Sequence, residues 1–169
     1  NDASIWNPFN TEYFFWLDAG ITNTVPHSHL VENNVLDKLT EYGNPFLFLS
    51  YPYEANNEIH GFDFNSMNRL SGTKVEYVCR GGLFGGHKQQ LNEANATYYS
   101  LLTKTLNSNL MGTEESIFTI MSYNEPHLYK RFELDGNGLI VKFTHAVIDN
   151  NVKIVEPDIK KLNNVIRSE

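Results

Sequence analysis

Two short apolar runs constrain this chain more than anything else in it. Tyr13-Phe14-Phe15-Trp16-Leu17 lies between Asn10-Thr11 and Asp18-Ala19-Gly20, and Pro45-Phe46-Leu47-Phe48-Leu49-Ser50 follows a glycine at 43. Neither run is long enough for a helix of ordinary length, and neither alternates with polar residues. An uninterrupted apolar run bounded by turn residues reads as a strand buried on both faces, as in the middle of a parallel or mixed sheet. Helices must then cover both faces, so the expectation is an α/β fold. A middle strand that comes so early means either that its neighbours come later or that part of the sheet precedes residue 1. The second is the expectation taken here.

The remaining pattern agrees with one α/β domain over residues 1–169, without repeat or linker. Residues 35–42 read as a short helix closed by Gly43, and 75–79 as a strand. A long helix follows over 87–107, with Leu91, Ala94, Tyr98, Leu101, Leu102 and Leu106 as its apolar stripe. Another runs over 114–123 and is ended by Pro126. Residues 51–72 lack a clear period and read as a functional loop. Asp135-Gly136-Asn137-Gly138 is a turn between the runs 128–134 and 139–143, the latter read as a strand with His145 at its end. Residues 156–167 read as an amphipathic helix with Ile159, Leu162 and Ile166 on one side.

Composition excludes several classes. A length of 169 residues suffices for a core without staples, and 41% apolar with 13% aromatic content excludes a disordered tail. The single cysteine, Cys79, rules out an intrachain disulfide framework and a cysteine-rich zinc site. A net charge of −7, with 13 dispersed basic residues, argues against nucleic acid as ligand. Lys160, Lys161 and Arg167 read as the solvated face of a last helix. The longest apolar run is about five residues, so no segment spans a membrane. With neither a disulfide set nor a basic-then-apolar leader, a cytoplasmic location is expected.

Three motifs and one histidine could carry chemistry. Asp18 stands where the first strand ends, in the crevice where open α/β sheets bind ligands, and Gly20 leaves room for a close approach. It could hold a divalent cation or a ribose hydroxyl, or merely cap a turn. Arg80-Gly81-Gly82-Leu83-Phe84-Gly85-Gly86 joins a strand to the long helix, and is read as a glycine-rich loop with Phe84 as a pocket wall. It is neither a dinucleotide fingerprint nor a Walker loop. Glu114 and Glu115 open a helix, where two carboxylates favour the macrodipole, and about 100° between adjacent residues lets at most one reach a site as base or acceptor. His27 and His29 lie two apart without a third ligand at metal-binding spacing. His145 could meet Asp18 as a metal pair, or simply be a hydrogen-bonded histidine. No Gly-x-Ser-x-Gly occurs, and Asn95-Ala96-Thr97 fits a glycosylation acceptor only inside the long helix.

In order, FFWLDAGI (14–21), RGGLFGG (80–86), a long helix and GTEESIFTIM (112–121) resemble the WlaTC/HtrL family of glycosyltransferases. The Gly-Gly-x-Phe-Gly-Gly, long helix and acidic helix start are also similar to retaining GT-A galactosyltransferases. The resemblance covers roughly residues 6–133. It implies a GT-A-like mixed sheet flanked by helices, a nucleotide-sugar donor, a glycan or lipid-linked acceptor and a divalent cation, Mn²⁺ or Mg²⁺. It also implies that the chain is the C-terminal two-thirds of such a domain, with the Rossmann-like N-terminal half incomplete or carried by another segment. By the same resemblance Asp18 takes the place of the acidic metal motif, although Asp-Ala-Gly stands where Asp-x-Asp is usual. Gly85 and Gly86 would border donor sugar and acceptor, with Gly82 and Phe84 in the same segment. Glu114 or Glu115 would face the reacting sugar, and His145 would be the late metal-binding histidine. Arg80 and Lys88 are the nearest basic candidates for the diphosphate.

The leading expectation is therefore a hexosyltransferase of carbohydrate biosynthesis. The alternative is a non-catalytic glycan-binding or assembly module derived from such an enzyme. A third reading, a metal-dependent hydrolase, would use Asp18, Glu114 and His145.

Overall fold

The computed structural model describes residues 1–20, 23, 25–26, 28, 31, 34–53, 62–134 and 139–152. His27, His29, the turn at 135–138 and the expected helix at 156–167 lie outside them.

Among the described residues four strands form one mixed sheet. They are β1 (Tyr13–Leu17), β2 (Phe46–Pro52), β3 (Tyr77–His87) and β4 (Tyr129–Glu133), in the spatial order β1-β3-β2-β4. β3 is antiparallel to both β1 and β2, and β4 is parallel to β2. The helices whose bounds lie within the described residues are α1 (Asp2–Trp6), α2 (Val35–Tyr42), α3 (Phe64–Leu70), α4 (Lys88–Asn107), α5 (Glu114–Asn124) and α6 (Leu139–Ile148).

β2 explains its own sequence. Phe46 and Phe48 pack with Ala94 of α4 and with Ile117, Phe118, Ile120 and Met121 of α5. Leu47 and Leu49 point the other way, to Val35 and Leu39 of α2 and to Phe143 and Val147 of α6. A strand covered on both faces has no solvent side, so it shows no polar alternation. The α/β expectation holds at this level: a mixed sheet between two helical layers.

Three expectations are corrected. First, β1 is not central in the described sheet but at its edge, bonded to β3 alone. Its residues are half-buried except for Trp16, which is exposed. The run lacks polar residues because one face meets the α2–α6 core through Phe15 and Leu17 and the other supplies an aromatic wall. Second, residues 81–86 are not a loop. They continue β3, which runs on into α4 with His87 as N-cap, its Nδ1 accepting from the Gln89 N–H. Gly85 and Gly86 are needed because other backbone lies where their side chains would be. A Cβ on Gly86 would sit 2.3 Å from the Pro45 carbonyl oxygen, and one on Gly85 2.2 Å from that of Phe14. Third, the apolar run 139–143 is the first half of helix α6 and not a strand. Ile140, Phe143 and Val147 recur at helical spacing and face the sheet. His145, on the same helix, is therefore no strand end and is exposed.

Other elements fall where the pattern placed them. α2 spans the expected residues, α4 and α5 agree to within a residue, and β2 covers the expected run. Part of the expected loop 51–72 is helix α3, capped by the Asp63 carboxylate accepting from the Ser66 N–H.

β3 carries the irregularity that matters for function. Phe48 pairs with Phe84 but the next residue, Leu49, pairs with Arg80, so Gly81, Gly82 and Leu83 have no partner on β2. This extra segment bulges, as such insertions do next to functional sites. Bonding along the β1 side of β3 ends where the Asp18 N–H donates to the Gly82 carbonyl at 3.1 Å, which leaves the edge of β3 before Gly82 open, and α5 covers it with polar atoms. Thr119 Oγ1 accepts from the Cys79 N–H at 2.9 Å, and Glu115 Oε1 accepts from the Gly81 N–H at 2.8 Å. Buried backbone donors need such partners. The C-terminal end of α5 is fixed by Arg131, whose buried guanidinium lies 3.9 Å over the Tyr123 ring and donates to the Ser122 carbonyl.

Candidate functional site

A cavity of about 430 Å³ opens between the β1–β3 edge and helices α4 and α5. That size falls within the range of small-molecule sites, roughly 300–1,000 Å³. Trp16 and Asp18 line it from the end of β1, Gly81, Gly82 and Phe84 from β3, and Asn95, Tyr98 and Tyr99 from α4. Glu114, Glu115 and Phe118 come from α5, Phe46 and Phe48 from β2, and Asn1, Leu91, Ala94 and Met121 complete the wall.

The two glycines of the bulge lie against both carboxylates. A Cβ on Gly81 would stand 2.8 Å from Glu114 Oε1, and one on Gly82 would stand 3.7 Å from Asp18 Oδ2 and 3.0 Å from Ile140 Cδ1. Glycine here serves close approach, as the sequence suggested, but from within a strand. Asp18 accepts a hydrogen bond from the Trp16 indole N–H at 3.0 Å, which orients the indole.

The aromatic wall is a connected stack. Trp16 lies nearly parallel to Phe84 with 6.2 Å between ring centroids, and Phe84 meets Phe118 at 4.8 Å. Phe118 meets Tyr98, which stands perpendicular to Tyr99 at 5.6 Å. The inner rings are held by the core, whereas Trp16 is 56% and Tyr99 59% exposed. Burial, with the Glu114 charge as a smaller contribution, pushes the Tyr98 hydroxyl above the usual tyrosine range.

The two adjacent glutamates have different surroundings. Glu115 is buried, and besides bonding Gly81 its Oε1 lies 3.3 Å from Arg80 Nε. Its charge is thereby offset and it shapes the bulge. Glu114 is exposed at the start of α5 and faces the cavity.

The other residues singled out in the sequence lie elsewhere. Arg80 pairs with Glu115, donates to the Tyr51 hydroxyl at 3.3 Å and stacks over that ring at 5.0 Å. It does not line the cavity. Lys88 is at the far end of β3, ion-paired with Glu12 at 2.7 Å, and His87 lies 3.3 Å from the other oxygen of the same carboxylate. Gly85 and Gly86 press on backbone instead of bordering the cavity, and Gly20 lies in a turn near Asn23. His145 is on α6 and does not line the cavity with Asp18. Among the described residues no three His, Cys, Asp or Glu side chains come together as a group able to hold a metal ion. Of the two residues that the family resemblance assigns to a metal, Asp18 lines the cavity and His145 does not.

Sequence reasoning passed over Trp16, Asn95, Tyr98 and Tyr99 as ligand-facing groups. A signal for three of them exists: Asn95 stands three and four residues before Tyr98 and Tyr99, which puts all three on one side of α4.

Fold and site together define an α/β protein with a four-stranded mixed sheet, helices on both faces and an aromatic, carboxylate-bearing cavity at the end of its edge strand. The chain matches no family model, no curated protein and no solved structure. No helix among the described residues is long and apolar enough to cross a membrane.

Proposed function

We propose that this chain is the sugar-handling portion of a hexosyltransferase that moves a hexose from a nucleotide sugar to a carbohydrate acceptor. One observation carries the reading: Asp18, Glu114 and the exposed rings of Trp16 and Tyr99 share a single cavity at a strand end. Flat aromatic faces suit the C–H face of a pyranose, and carboxylates accept hydrogen bonds from its hydroxyls. In the transfer a carboxylate takes the proton of the acceptor hydroxyl. That oxygen forms the new bond to the anomeric carbon as the bond to the diphosphate oxygen breaks. The nucleoside diphosphate leaves with the electron pair. Glu114 is the side chain assigned to the proton, since Glu115 is engaged with Gly81 and Arg80.

A second reading is favoured by a specific observation. Among the described residues no Lys, Arg or His side chain lines the cavity, so these residues offer no side-chain cation to a diphosphate. A glycan-binding module without transfer activity would need none. The test is the thermal stability of the chain against a panel of nucleotide sugars, with and without added Mn²⁺. A donor held at 100 times its dissociation constant should stabilise the fold by about 2.7 kcal/mol. A shift lost in Asp18→Asn supports transfer. A folded protein indifferent to every donor but stabilised by free glycans supports the binding module.

A further inference from the structure

We propose that the cavity beside Gly81 and Gly82 is a subsite for a sugar ring without negative charge, and that it rejects uronic acids and phosphorylated sugars. The inference deepens the reading above and rests on a sugar occupying this cavity.

The Trp16 indole is held in place twice, by its N–H on Asp18 Oδ1 at 3.0 Å and by its offset stack on Phe84. More than half of it nevertheless faces solvent, and the same is true of Tyr99. An aromatic face carries the negative part of the ring quadrupole and attracts weakly positive C–H groups or a cation, and it repels an anion.

The charges point the same way. Glu115 is offset by Arg80 at 3.3 Å, which leaves Asp18 and Glu114 as carboxylates that no lining side-chain cation among the described residues opposes. Both are acceptors only, so they match hydroxyl or ammonium donors and oppose a second carboxylate or a phosphate. Discrimination of this kind works by penalising the wrong ligand, and a like charge placed beside these two costs at least a factor of about ten in affinity. It follows that the diphosphate of a donor lies outside this cavity and that the cavity takes the neutral sugar ring alone.

The test uses matched sugars and the tryptophan indole signals in a ¹⁵N-labelled sample of the full chain. Glucose, galactose and mannose are titrated against the corresponding uronic acids, 6-phosphates and 2-amino sugars at neutral pH. Trp6, which does not line the cavity, is the internal reference. At least one neutral or amino sugar is expected to move the Trp16 indole resonance, with its uronate and phosphate counterparts at least tenfold weaker. The gap should narrow in Asp18→Asn and Glu114→Gln. Both positions are exposed, so these variants should fold, and dispersed amide spectra check that they do. Uronates or sugar phosphates binding as well as their neutral partners would overturn the inference, as would a gap unchanged by both substitutions. If no sugar moves Trp16 while a nucleotide sugar still stabilises the fold, the subsite falls and the transferase reading stands. If neither binds, both fall.

Discussion

Single glycines in β3 have opposite duties only five residues apart, and substitution should separate them. Gly85→Ala and Gly86→Ala would drive a Cβ into backbone of β1 and of the segment before β2, which cannot move aside cheaply. Each is expected to destabilise by about 3 kcal/mol or more, read as a lower midpoint in urea unfolding. At Gly81 the obstructing atom is the mobile end of Glu114. Gly81→Ala should therefore cost less than about 1 kcal/mol of stability while weakening any ligand that uses Glu114. A Gly81→Ala protein that is as unstable as Gly86→Ala would refute that division. The sequence showed four glycines clustered around Phe84 but not which served packing and which served a ligand, because that depends on what stands opposite each Cα.

At the scale of elements, the contact between α5 and β3 is polar where most of the core is apolar. Thr119 and Glu115 satisfy backbone N–H groups at the open edge of β3, and Ser122 lies 3.5 Å from the Cys79 thiol. Thr119→Val keeps the shape and removes the acceptor for Cys79 N–H. It should cost about 1–3 kcal/mol by thermal unfolding, the penalty for a buried donor left unsatisfied. The helix itself was legible: an acidic start after Thr113 and a stop before Pro126 are local signals, and α5 ends at Asn124. Its role in closing the β3 edge was not legible, since residues 79 and 81 meet 115 and 119 only through the crossover. The run 139–143 shows the same limit. Four apolar residues in five, with Lys142 among them, fit strand or helix equally well, and the recurrence to Val147 decides for helix only when the sheet face it covers is known.

For the whole molecule, burial of weakly acidic groups predicts a common pH response. Burial pushes the Cys79 thiol up to about 11, from an ordinary value of 9.0. Tyr123 and Tyr129 are raised as well, in both cases chiefly by burial. The unfolded chain releases the thiol proton near pH 9 while the folded chain holds it to about 11. The resulting stability is fully present below pH 9 and is lost as pH rises through 11, on the order of 2 kcal/mol for the thiol alone. Urea midpoints measured from pH 7 to 11 should fall across that window, with a smaller fall in Cys79→Ala. In the native protein the same thiol should resist modification until unfolding exposes it.

The sequence by itself determined the period and ends of most elements and the two-sided burial of β2, because helical spacing, glycine and proline signals and an uninterrupted apolar run act within a few residues. It also brought forward Asp18, Gly82, Phe84 and Glu114, which the fold does gather into one cavity. Tertiary structure alone decided that β1 is an edge strand, that residues 81–86 are strand and not loop, and that Lys88, Gly85 and His145 stand away from the cavity. The reason is the same throughout. Edge or centre, loop or strand, and ligand or ion-pair partner are properties of what lies opposite in space. In this chain those partners come from segments tens of residues away: Phe14 and Phe15 against Gly85, Glu12 against Lys88, and Glu115 against Gly81.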